Sequence, residues 1–109
     1  MRVWVFERNL LWSAKFAKAL TTLGHDATIE SAVPEGEADF AIVNLGEATV
    51  GETIDALKKL GVFTLAHAGH KEKDLIALGK QHQVDRIATN GEITHKFEFI
   101  IASIVAQKS

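Results

Sequence analysis

The chain has 109 residues, a length that fits one ordinary domain with a single core rather than two. Apolar residues make up 47% and charged residues 24%, with a formal net charge of −2, which excludes a disordered chain and gives no electrostatic drive toward nucleic acid. No apolar run approaches the ~20 residues that cross a bilayer, the start lacks a signal-peptide pattern, and the absence of cysteine excludes disulfides and thiolate chemistry, so cytoplasm is the default expectation.

Val3-Trp4-Val5-Phe6 is β-branched and aromatic and reads as a buried strand ending near Glu7. Asn9 is placed to cap a helix whose apolar face is Trp12, Phe16, Ala19, Leu20 and Leu23, stopped by Gly24. Lys15 and Lys18 fall off that face and read as a solvated side. His25 to Ser31 alternates weakly, as an edge strand does. Only Ala32 to Glu37 then separate it from the next strand, and Pro34 and Gly36 argue against a helix there. A parallel crossover normally takes a dozen or more residues, so this crossover helix is expected to have shrunk to an extended loop.

Ala38 to Gly46, ADFAIVNLG, is the centre of the chain. An apolar run closed by turn formers marks a central parallel strand buried on both faces. Val50, Ile54 and Leu57 then form a helical face ended by Gly61, and Val62 to Ala66 reads as another buried strand. His67 to His70 is expected to be a loop, and Glu72 to Gln83 a helix with Leu75 and Leu78 inward and Gly79 tolerated at some cost. Asp85 to Thr89 reads as a second edge strand and Asn90-Gly91 as a turn. Ile93, Phe97, Ile100, Ile101 and Ile104 make one face of a closing helix. Strands alternating with helices imply a parallel sheet covered on both faces, in one domain over residues 1–109.

The order of elements, and ADFAIVNLG above all, resembles a response-regulator receiver domain, the CheY-like branch of the flavodoxin-like architecture. The resemblance implies an α/β three-layer sandwich with a five-stranded parallel sheet in order 2-1-3-4-5, its second helix short or missing. It also implies a phosphorylation pocket, and the residues at the matching positions depart from the family's. The phosphoacceptor aspartate is matched by Asn44, a neutral amide and a poor nucleophile. The acidic pair that holds magnesium is matched by Glu7 and Arg8, the hydroxyl residue by Ala66 (or, one residue on, His67), and the lysine by Thr89. Arg86 falls where the family's switch aromatic lies. Together these point to a degenerate pseudo-receiver: a non-enzymatic, phosphorylation-independent signalling or protein-interaction module without a cofactor. The alternative is a small-ligand-binding domain that uses the crevice lined by Glu7, Asn44, Ala66, His67 and Thr89.

Other constellations are weaker. His67 and His70 would need a third and fourth ligand to hold a metal, so both read as solvated loop residues and no metal site is assigned. Ser13 lacks a nucleophile-elbow context. Glycines 46, 51, 69 and 91 fit neither a dinucleotide fingerprint nor a P-loop. The acidic run Glu30, Glu35, Glu37, Asp39 and Glu47, set against Arg8, Lys15 and Lys18, reads as a solubilising surface. On the closing helix, His95, Phe99, Ala102 and Ala106 lie opposite the core stripe. With Ile76 and Arg86 they form a candidate interface, in receivers a face that commonly mediates dimers, so the expected partner is a protein, including a second copy.

Overall fold

The computed structural model describes residues 1–108. In chain order the elements are β1 (Arg2–Phe6), α1 (Leu10–Thr22), β2 (Asp26–Ile29), β3 (Phe40–Asn44), α2 (Val50–Lys59), β4 (Phe63–Ala68), α3 (Lys73–Gln81), β5 (Arg86–Thr89), α4 (Asn90–His95) and α5 (Phe97–Lys108). The five strands form one parallel sheet in the order β2-β1-β3-β4-β5. The expected topology and strand order are therefore observed. No helix among the described residues is long and apolar enough to cross a membrane.

Alternation along the strands divides the core into two layers. Val3, Val5, Phe40, Ile42 and Leu65 pack with Phe16 and Leu20 of α1, Ile93 of α4 and Phe97, Ile100, Ile101 and Ile104 of α5. Trp4, Phe6, Ala41, Val43 and Ala66 face the other way, onto Val50, Ile54 and Leu57 of α2 and the inner side of α3. Central strands buried on both faces explain why their sequences run apolar without alternation. The helix faces read from spacing turn toward the sheet, with Leu75 and Leu78 half-buried, but Leu23, expected at the end of the α1 face, is 37% exposed.

Residues 30–39 contain no helix, so β2 returns to β3 through an extended connection, as the sequence implies. Val33 and Ala38 of this loop, both half-buried, lie against the layer that contains Trp4. The indole thus belongs to the layer in which a loop, not a helix, follows β2. Asn9 caps α1, its side chain accepting from the amides of Leu11 (3.0 Å) and Trp12 (3.2 Å). Gly24 ends that helix region at φ 87°, in the left-handed region that glycine enters without a steric cost. Gly79 has a packing role. A Cβ there would sit 3.1 Å from Leu45 Cδ1 and 3.2 Å from Ile87 Cδ1, so the missing side chain lets α3 approach the sheet.

Two expectations fail. His67 and Ala68 are not loop residues: β4 continues through them, pairing Asn44 with His67 on one side and His67 with Ala88 on the other. Ladder partners on both sides override the polar, turn-like look of His-Ala-Gly-His. Asn90-Gly91 is not a free turn either. Thr89 caps a helix that starts at Asn90, in a capping box closed by Glu92 (Glu92 N to Thr89 Oγ1 3.1 Å, Thr89 N to Glu92 Oε1 2.9 Å). The closing helix is accordingly two pieces, with Lys96 at φ −124° between α4 and α5.

Candidate functional site

The carboxyl ends of β1, β3 and β4 meet on the α1 side of the sheet, and three polar side chains converge there. Glu7 continues the inward series Val3-Val5, Asn44 follows Ile42, and His67 follows Leu65. The period of two that puts apolar residues in the core thus aims these three at one point. The side chains of Glu7 and His67 are 1% and 2% exposed.

The group is a closed hydrogen-bonded chain. Asn44 Nδ2 donates to both oxygens of Glu7, at 3.2 and 3.1 Å, and the Asn9 amide donates to Glu7 Oε2 at 3.3 Å. His67 Nε2 lies 3.0 Å from Glu7 Oε1. At the far end, one orientation of the Asn90 amide satisfies every neighbour. Its nitrogen donates to His67 Nδ1 (2.9 Å) and to the Ala68 carbonyl (3.3 Å), and its oxygen accepts from the Gly69 amide (3.2 Å). In that arrangement, assigned from the network, Nδ1 is an acceptor. His67 then carries its proton on Nε2 and donates it to the Glu7 carboxylate. Asn44 Oδ1 accepts from the Gly46 amide at 2.9 Å. Among the described residues no buried side-chain nitrogen or oxygen lacks a partner.

Burial alone would push the Glu7 carboxyl up; hydrogen bonds from His67, Asn44 and the Asn9 amide outweigh it and hold the group below the usual glutamate range. Trp12 lies flat on the imidazole of His67, ring centres 4.9 Å apart and planes within 3°, and Phe16 meets it edge-on at 5.6 Å. The first helix thus covers the His67 ring with aromatic side chains, while Asn44 and Asn90 at the two ends of the chain stay partly exposed.

The remaining predicted site residues are elsewhere. Ala66 faces the α2–α3 layer, so the neighbour of Asn44 in the site is His67, the one-residue alternative. Arg8 points outward. Its side chain is 73% exposed, its amide donates to Glu47 Oε2 at 2.9 Å and its guanidinium lies 4.0 Å from the same carboxylate, which ties one of the basic residues to the acidic run. Thr89 uses its hydroxyl as a helix cap. His70 is exposed. Asn90 was not foreseen, because a residue ahead of a glycine reads as turn chemistry, and only the sheet order brings it to His67. Of the candidate interface, His95, Phe99, Ala102 and Ala106 are exposed and Arg86 is half-buried. Ile76 does not join them: it packs against the core layer on the other side of the sheet.

No protein-family model matches the chain, and no curated protein does either. Solved structures match over almost its whole length. The receiver domain of the TMAO respiratory system response regulator TorR superposes with a TM-score of 0.84 at 10% identity, covering 99% of this chain and 98% of that one. The fold is that of a response-regulator receiver domain. A response regulator receiver protein from Pseudoalteromonas atlantica gives 0.79 at 12% identity, with both chains fully covered. A structure described as belonging to a family of redox sensors in the streptococci, evolved from two-component response regulators, gives 0.81 at 8% identity over 98% of this chain and 52% of that one.

Receivers hold magnesium between acidic side chains, and the residues present here do not fit it. The site offers one carboxylate, and its two oxygens already accept from a histidine, an amide side chain and a backbone amide. Magnesium keeps several waters and near-octahedral oxygen ligands, which a single buried carboxylate already taken up by these donors does not supply. Among the described residues no cluster of three histidine, aspartate or glutamate side chains could hold a metal ion.

Proposed function

We propose that this receiver-fold domain is a phosphorylation-independent, non-enzymatic interaction module of signalling type. The observation that carries the reading is the occupation of the strand ends. Asn44 stands where the family accepts a phosphoryl group, and its amide nitrogen is committed to the Glu7 carboxylate. An amide cannot form an acyl phosphate. The charge of the transferring group would also lack the cations that stabilise it, because Arg8 is turned outward and Thr89 is a helix cap. The description of the streptococcal redox sensors as evolved from two-component regulators supports the idea that this frame can be put to another use.

The ligand-binding alternative is less well supported, since the polar atoms of that crevice are spent on one another. The partner in this reading is a protein, including a second copy of the chain through the outer side of α5, where Phe99 is 71% exposed. The test is incubation with acetyl phosphate and magnesium, followed by intact-mass measurement. The expected result is no adduct; a stoichiometric, hydrolytically labile phospho-adduct overturns the reading.

A further inference from the structure

A groove runs between α1 and the α4–α5 pair, on the outside of the aromatic seal over His67. Its volume is about 170 Å³ and its walls include Trp12, Phe16, Ala19, Ile93 and Phe97, with Lys15 the charged residue among them. Ligand pockets usually measure about 300–1,000 Å³, whereas an apolar cavity of about 150 Å³ holds one benzene ring. The groove is therefore a seat for a single ring beside an anion. This chain displays such a pair: Phe99 is exposed, and Glu98 next to it is exposed as well.

The seat and the ring are also neighbours. A shallower hollow that shares Ala19, Thr94 and Phe97 with the groove continues along α4 and α5 as far as Glu98 and Phe99. A surface that carries both the donor and the acceptor of a contact is what a two-fold interface requires, because each copy must give and receive. The other polar side chains lining that hollow near Phe99 include His95 and Lys96. Lys96 acts on Glu92, whose carboxyl is held low chiefly by hydrogen bonds with Thr89 and further by this lysine.

We infer that Phe99 of one copy seats in the α1/α4–α5 groove of a second copy, with Glu98 of the first set against Lys15 of the second. The inference rests on the self-association proposed above and names the surface that receives the ring.

Charge exchange tests it. Lys15→Glu and Glu98→Lys each place like charges at both contacts of a symmetric dimer, so each variant alone should raise the dissociation constant by about tenfold or more. An equimolar mixture restores opposite charges at both contacts and should form heterodimer with the affinity of the wild type. Sedimentation over a concentration series measures each case, with Phe99→Asp alongside, and circular dichroism confirms that every variant folds. If Phe99→Asp is monomeric while the charge variants associate as tightly as the wild type, or if the mixture is no better than its parts, the groove is the wrong seat and the dimer reading survives. A wild type that stays monomeric throughout overturns both.

Discussion

His67→Leu removes one member of the buried chain while keeping its approximate volume. The variant leaves the Glu7 carboxylate buried with Asn44 and the Asn9 amide as its remaining donors. A hydrogen bond to a charged group is worth about 1.5–3 kcal/mol, and loss of the ring stacked on Trp12 adds to it, so the expected cost at neutral pH is about 2–4 kcal/mol. The pH dependence of this cost distinguishes the proposed cause from a simple packing defect. In the wild type the Glu7 carboxyl is lowered from its ordinary 4.5, so its contribution is present above that value and is lost as the pH falls through the folded value. In the variant the burial penalty stays and the His67 bond is gone, so the carboxyl moves upward and takes a proton first. The variant then gains relative stability as the pH falls toward 4.5, and the gap between the two proteins narrows. Urea denaturation followed by circular dichroism at a series of pH values measures this gap; fluorescence is unsuitable because Trp12 touches the substituted ring. A destabilisation that is constant with pH, or grows on acidification, refutes the account of Glu7 as a carboxylate held by donors.

Asn44→Asp sets a second carboxylate against Glu7 at about the present 3.1 Å contact. It should lower stability at pH 7, recover on acidification as the pair shares a proton, and still show no magnesium-dependent phosphorylation by mass spectrometry. Gly79→Ala gains helix propensity of about 1 kcal/mol, but its methyl meets Leu45 and Ile87 at 3.1–3.3 Å; chemical denaturation should show a net loss of about 1 kcal/mol, within the usual cost of overpacking. Thr89→Ala opens the capping box of α4 and should cost about 1 kcal/mol in the same assay. A neutral result would mean that Glu92 alone suffices to start the helix.

The frame was readable because its signals are local and redundant. β3 shows a two-sided apolar run, α1 a cap and a periodic face, and residues 30–39 are too few, and too rich in proline and glycine, for a crossover helix. What could not be read depends on contacts distant in sequence. Nothing in His67-Ala68-Gly69-His70 says that the first two residues have ladder partners on both sides, so His67 looked solvated when it is the most enclosed ionisable ring described. The phase error at Ala66 has the same origin, since a shift of one residue moves a side chain to the other face of a sheet. Asn90 lies 23 residues from His67. Its role exists only once β4 and β5 lie side by side.

The extended connection between β2 and β3 has a consequence for how the domain breathes. Asp26 and Thr28 lie on the face of β2 that a second helix would cover, and both are exposed. The strand is four residues long and is held by one ladder, to β1. β3 and β4, by contrast, are clamped on both sides. Opening β2 therefore uncovers little apolar surface, and local unfolding free energy follows what an opening uncovers. Amide exchange in deuterated solvent should proceed first along Asp26–Ile29 and last along Phe40–Asn44. The fraying edge lies three strands away from His67, with β1 and β3 between them, so the domain can lose and remake that edge many times while the buried Glu7–His67 pair stays in place.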